Sequence, residues 1–426
     1  MPLLRKIAWF EPFWVLLVGV LLLVPARFLP PAMWPQVQTA RPWLIAALLL
    51  FWPVRRLAYG RLSAPSPLNL PLAVLIAWLP VNLWASADKT LSWEALGYLA
   101  FALALFFAVI NWPPFLAAPQ RLAWLLALGG AGMLVAAPLL SRLLIPVLPG
   151  SGPFDALMQR LADLTPGEVN LNRTAGALAL FLPFYLALAL RRDWTRRFWP
   201  PLLFLLLAGA TATVLALTQS RGAALAGSVG AFAVIFLRWP RLRPATPLLI
   251  LLAPLALAGV DAIGPAAPAA AAGAISMGWD GRLELWSRAL YILADFPFTG
   301  AGIGTFDRVV PILYPLFLST PGSPVSHAHN LILQVGVDLG LPGLIAWLAV
   351  LVNTFLLLAG VLRQRQDALP WALAAGVAGS LGVMLVHGLV DAALWGSKPA
   401  FLPWLFVALA VVVSLPPSLR PARPSA

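Results

Sequence analysis

Apolar stretches of about 18 residues or more, closed by Arg, Pro or Gly, recur along the whole of the 426-residue chain, and they decide what kind of fold is open to it. A run of that length crosses a bilayer as a helix rising 1.5 Å per residue. A membrane barrel strand would instead alternate apolar and polar residues over about ten positions. Composition points the same way. With 61% hydrophobic and 10% charged residues, against roughly 45–50% and 25% in soluble domains, the chain cannot hide its apolar surface in a water-soluble core. The sequence therefore reads as an all-α polytopic integral membrane protein.

The apolar windows fall near residues 12–26, 43–54, 68–86, 95–112, 122–141, 174–190, 198–218, 222–237, 245–263, 341–362, 369–390 and 399–415. They predict about twelve transmembrane helices. Arg5 and Lys6 followed by an apolar run to Val24 resemble a signal peptide, with Val24-Pro25-Ala26 as a passable cleavage site. The rest of the chain is equally apolar, so a retained first helix is the expectation. The expected division is nine helices over 1–263, a long outer loop with an amphipathic helix over 264–328, three helices over 329–415, and a cytoplasmic tail over 416–426.

The net charge of +13 does not imply nucleic acid, because the basic residues form no soluble basic domain. With the N-terminus in the cytoplasm, most of them fall in inward loops: Arg5, Lys6, Arg55, Arg56, Arg61, Arg121, Arg191, Arg192, Arg196, Arg197, Arg238, Arg241, Arg243, Arg363, Arg365, Arg420 and Arg423. Only Glu11, Asp193 and Asp367 accompany them. That asymmetry predicts both termini on the cytoplasmic side of the membrane and reactive groups on its outer side. The chain has no cysteine, which removes disulfides, thiolate nucleophiles and zinc–thiolate sites from consideration.

Two outward segments, 142–173 and 264–328, exceed hairpin length, and loops that long are usually functional. The second opens with an Ala/Pro/Gly-rich stretch from Gly264 to Gly273, then becomes DGRLELWSRALYILADF, followed by GAGIGTF from Gly300 to Phe306. The middle part predicts an amphipathic helix with Leu283, Trp286, Ala289, Leu290 and Leu293 on one face. The Pro/Arg tail after Pro416 reads as disordered.

Polar groups gather at the outer helix ends. Arg221 lies in LTQSRGAALAG between the seventh and eighth windows, where a snorkelling interfacial arginine is the plain reading. Asn172 and Arg173 open the sixth helix, and His387 and Asp391 close the eleventh. His387 is expected to pack in the interior, and Asp391 to orient an arginine or a histidine. SHAHNLILQVGVDLGLPG, from Ser326 to Gly343, brings His327, His329 and Asn330 to the tenth helix; Gly340 and Gly343 suggest close helix packing. The loop helix carries Arg282, Glu284 and Arg288, with Arg308 beyond it. A solvated face accounts for Arg288, whereas Arg282 at a helix start gains nothing from the helix dipole and so favours an outside anion. Arginines of this kind suit phosphate oxygens, which suggests an anionic lipid, specifically a lipid diphosphate.

These blocks resemble the O-antigen ligase and O-antigen polymerase superfamily of bacterial envelope enzymes, related to membrane glycosyltransferases of the GT-C type. His329-Asn330, nine residues, Gly340, two residues and Gly343 match that family's spacing without a gap. SRGA around Arg221 and GRLELWSRAL with FPFTGAGIGTF resemble two more of its blocks, and Asn172, Arg173 and Asp391 fall in others. The resemblance is good over 170–395 and extends to the first 150 residues only by hydropathy.

The resemblance implies a membrane glycosyltransferase that moves a glycan from an undecaprenyl-diphosphate carrier to an acceptor sugar outside the membrane. A ligase uses lipid A core as acceptor; the alternative, a polymerase, uses a second carrier-linked glycan. The expected roles are His329 as base or acceptor-positioning group and Arg221, Arg282, Arg288 and Arg173 on the donor diphosphate. Asn330, Asp391, His327 and Asn172 are expected in support. No Asp-x-Asp pair occurs, so an inverting, metal-independent reaction without a cofactor is expected, although His327 and His329 with Asp391 form a weak zinc pattern. A lipid-linked-glycan transporter is the rival of another class, and it predicts charges near the bilayer midplane and repeated halves. A noncatalytic scaffold gives no reason for the histidine motif.

Overall fold

The computed structural model describes residues 2–24, 29–30, 32–140, 170–193, 198–246, 279–318, 325–364 and 368–415. Among these residues there are helices and no strands. Among the described residues, eight helices are long and apolar enough to cross a membrane, or nine if the bent pair Leu3–Trp9 and Glu11–Leu23 is one span. Asn69–Ala85 and Lys398–Ser414 are shorter apolar helices. Every expected window among the described residues is helical. The ninth window, nearly all of the 142–173 segment, the Gly264 to Gly273 stretch, the Val24-Pro25-Ala26 cleavage site and the Pro/Arg tail lie outside the described residues.

The chain forms two compact units that interleave in sequence: Met1–Leu122 with Gly278–Gly360 and Gly388–Ala426, and Ala123–Met277 with Val361–His387. In the first, Lys89–Asn111 is the central helix, packed against Phe401–Ser414, Glu11–Leu23 and Met33–Leu48. It is apolar on all sides, as a helix surrounded by other helices must be. Asp88 caps it, accepting from Thr90 N at 2.9 Å and Leu91 N at 3.1 Å.

Two buried arginines of this unit are paired with carboxylates, one of them with a carboxylate that is itself buried. Arg55 lies 3.4 Å from Glu11, and Arg41 lies 3.4 Å from Glu94. Arg55 also donates to Phe107 O at 3.3 Å. This revises the loop inventory of charge, since Glu11 and Arg55 neutralise each other inside the packed helices rather than marking a solvated loop. Partnering of this kind is what makes a charge tolerable in an apolar surrounding.

In the second unit, the broken helix Leu171–Ala179 and Phe181–Ala189 packs on Arg221–Arg238. A Cβ at Gly227 would meet Ala179, and one at Gly230 would meet Pro183. The contacts advance together along both helices, so the two run parallel with their N-termini at one end. A Cβ at Gly376 would meet Ala187 and one at Gly379 would meet Pro183, so Ala368–Gly388 runs the opposite way. Arg173, Arg221 and His387 consequently lie at one end of the unit.

Candidate active site

Two structural devices shape the approach to the histidine motif in the first unit. The first is the start of Leu331–Gln364. Asn330 caps it, its side-chain oxygen accepting from Ile332 N at 3.0 Å and Leu333 N at 3.1 Å. The same side chain donates to Leu389 O at 3.2 Å, tying the motif to the segment that bears Asp391.

The second is a break in that helix at Gly340, which has φ +68°. The Phe298–Ala301 turn crosses there at backbone distance: Ala301 N donates to Val337 O at 2.8 Å and Leu341 N to Pro297 O at 2.7 Å. A Cβ on Gly340 would stand 2.0 Å from Phe298 O, and one on Gly300, with φ +66°, would stand 2.3 Å from Val337 O. These two glycines are therefore fixed by backbone conformation and close approach together. The Gly340 of the motif spacing allows GAGIGTF to dock.

A polar network beneath this crossing went unnoticed in the sequence. Asp338 is fully buried and accepts from Gln334 Nε2 at 2.9 Å, Trp395 Nε1 at 2.7 Å and Gly304 N at 3.1 Å. Gln334 in turn accepts from Ala328 N at 2.7 Å, directly between the two histidines. Asn82 donates to Thr299 O at 2.8 Å and to Asp338 O, and it accepts from Ile303 N at 3.2 Å. The available signal was polar residues inside largely apolar helices, Asn82 in one and Gln334 with Asp338 in another. Buried polar groups must be satisfied, so such residues mark a network.

Above it, His327, His329 and Asp391 come together. His327 Nε2 is 2.7 Å from Asp391 Oδ1, and Ser326 Oγ is 2.7 Å from His327 Nδ1. His329 Nδ1 is 3.9 Å from the same Asp391 oxygen, and the two imidazoles lie with centroids 4.2 Å apart, tilted by 30°. His329 has φ +48°, a conformation uncommon outside glycine, and Trp286 Nε1 donates to its carbonyl at 3.4 Å. Burial lowers the His329 pKa from 6.5 to about 4; the neighbouring His327 and Arg282 push the same way and Asp391 opposes them. His329 is thus a neutral imidazole at physiological pH.

The arginines divide. Arg282 is half-buried near His329, its guanidinium 5.9 Å from the Trp279 ring, with a buried Nε that has no hydrogen-bond partner. Arg288 is a strut: it is 3.4 Å from Glu284, donates to Pro315 O at 3.1 Å and lies over the Phe317 ring at 5.5 Å. Glu284 completes that joint by accepting from Phe317 N and Leu318 N. The loop helix, Trp279–Asp295, buries Leu285, Ala289 and Ile292. Of the expected apolar face, Ala289 is buried, Trp286 and Leu293 are half-buried, and Leu283 and Leu290 are exposed. In the second unit, Arg221 is the exposed first residue of its helix, Asn172 is exposed and Arg173 is half-buried. His387 is buried, as expected of a packing residue.

The family model of O-antigen ligase matches residues 203–348, taking in Arg221, Arg282, His327 and His329. This segment belongs to the O-antigen ligase family. The matched O-antigen ligase segment runs from before SRGA to beyond Gly343, so it holds the histidine motif, its cap and the Gly340 break, while Asn172, Arg173 and Asp391 lie outside it. No curated protein matches the chain at a significant level.

Proposed function

We propose that the protein is a membrane glycosyltransferase of the O-antigen ligase type that moves a glycan from undecaprenyl diphosphate to an acceptor sugar at the periplasmic face of the inner membrane, with lipid A core as the acceptor. The observation that carries this reading is His329: a neutral imidazole held beside Asp391 by an unusual backbone conformation, within a segment of that family.

The acceptor hydroxyl attacks the anomeric carbon of the donor, the bond to the diphosphate oxygen breaks with inversion, and the hydroxyl proton passes to the His329 imidazole. Diphosphate is a good leaving group, so the base has little work until the carbon–oxygen bond has largely broken. A weakly basic ring that is always unprotonated suits that timing. Asp391 and His327 position it. Arg282, with its unpartnered Nε, supports negative charge on the departing diphosphate. Arg221 and Arg173 are assigned as anion-binding groups of the second unit, Arg221 on the strength of the SRGA block. Arg288 holds the loop, and the reaction draws its charge stabilisation from arginine rather than from a metal.

The test is complementation in cells lacking the resident ligase. His329→Ala and Arg221→Ala should each abolish glycan attachment to lipid A core while membrane expression stays intact. Undiminished product from both would rule the reading out. Arg221→Lys should rescue poorly, because lysine lacks the planar fork that holds two phosphate oxygens.

A further inference from the structure

The His327, His329 and Asp391 cluster has more ligating capacity than positioning a base requires. Each residue offers one ligand atom, and the three atoms lie within 4.8 Å of one another. Around a tetrahedral zinc ion with bonds of about 2.0–2.2 Å, neighbouring ligand atoms stand roughly 3.3 Å apart. The observed separations of 2.7 Å and 3.9 Å to Asp391 Oδ1 bracket that value. Small side-chain shifts would place all three on one ion.

Two further observations point to a ligand here. His329 Nδ1 is buried with no hydrogen-bond partner, an arrangement that costs free energy until something accepts its lone pair or binds it. His327 Nδ1 is engaged by the Ser326 hydroxyl at 2.7 Å, which leaves Nε2 directed at Asp391. A metal-ligating histidine typically has its other ring nitrogen held in this way.

We propose that His327 Nε2, His329 Nδ1 and the Asp391 carboxylate form a binding site for one divalent transition-metal ion, zinc foremost, and that the bound ion holds the transferase inactive. Two imidazoles and one carboxylate favour zinc, cobalt, nickel or copper over magnesium and calcium, which prefer all-oxygen sets. Three protein ligands leave a fourth position open to solvent or an acceptor hydroxyl.

The inhibitory part rests on the function proposed above. With Nδ1 on the metal, the neutral His329 ring carries its proton on Nε2. No lone pair then remains to take the acceptor proton. The ion also draws Asp391 away from its 2.7 Å contact with His327, so the positioning pair is lost together with the base.

The experiment uses the full-length protein in detergent, stripped with chelator and titrated with Co²⁺, whose visible d–d absorption reports a tetrahedral site without any glycan substrate. A saturable band at one equivalent, displaced by zinc, is expected. Asp391→Asn and His327→Asn should weaken binding at least about tenfold, and Ser326→Ala, an exposed hydroxyl outside the ligand set, by about tenfold. Absence of the band in the wild type, or unchanged binding in all three variants, overturns the site. In a parallel transfer assay, zinc at saturation should suppress turnover at least about tenfold relative to chelator-treated protein, reversibly. Unchanged or raised turnover with zinc bound overturns the inhibitory role. If the metal-free protein transfers no glycan, the enzyme reading fails, and the cobalt titration still decides the site.

Discussion

Asp391 holds His327 at 2.7 Å while the same oxygen stands 3.9 Å from His329 Nδ1, so one carboxylate faces both histidines of the motif. Asp391→Asn removes its charge and keeps its shape. The expected result is a fall in transfer of about 10–100-fold, by analogy with other groups that orient a functional imidazole, with normal membrane insertion. Initial rates at saturating acceptor are the measurement, and an unchanged rate would remove Asp391 from the mechanism.

The lowered pKa of His329 has a signed consequence for metal-free protein. The imidazole loses its proton at about 4 in the folded state instead of at 6.5, so transfer should persist as pH falls through 6.5 to about 5. An ordinary histidine base would show half its activity near 6.5. Linkage runs the same way: the unfolded chain takes up this proton first, so the folded state loses stability as pH falls from about 6.5 towards 4. A pH–rate profile alongside thermal unfolding at pH 7 and pH 5 checks both.

Gly340→Ala should be severe. It places a methyl 2.0 Å from Phe298 O at φ +68°, a clash and a backbone strain of about 1–3 kcal/mol at the least, and it should lower both thermal stability and transfer. Gly360→Ala, in the same helix with nothing within 4 Å of the added Cβ, should be neutral or stabilising by up to about 1 kcal/mol. Comparing the two melting temperatures separates docking of the turn from general helix propensity.

Asp338→Ala leaves the Trp395, Gln334 and Gly304 donors without their shared acceptor. Each buried orphan costs about 1–3 kcal/mol, so the protein should unfold at markedly lower temperature in detergent. Since Gln334 also accepts from Ala328 N, transfer should fall further than lost folded protein explains. Activity per folded molecule is the quantity to compare.

The helices were legible in the sequence because a long apolar run favours one, and every described window is helical, although Asn69–Ala85 and Lys398–Ser414 are shorter than a span. The His329-Asn330 motif and its glycines were legible as spacing, but the reason for Gly340 was not. Its partner is the Phe298–Ala301 turn, about forty residues away, and no periodicity reports such a crossing. Asp391 was visible only as a polar residue at a helix end; that it faces two histidines depends on the Asn330 tie to Leu389. The buried side of Trp279–Asp295 was not legible, because that helix is apolar over more than one side, and packing chose Leu285 and Ile292 beside Ala289. Arg288 was legible as a polar residue of the loop helix, but its contacts with Glu284 and Pro315 were not, because they depend on where the chain returns at residue 315.

The central claim is glycan transfer from a lipid diphosphate with His329 as the proton acceptor. Its most direct measurement is a single-turnover assay with purified, reconstituted protein, a glycan linked to undecaprenyl diphosphate, and lipid A core. The account predicts glycosylated core and free undecaprenyl diphosphate in equal amounts, in the presence of chelator, with His329→Ala slower by about 10²–10⁴. Failure of the wild type to release the carrier, or equal rates for wild type and His329→Ala, would contradict it.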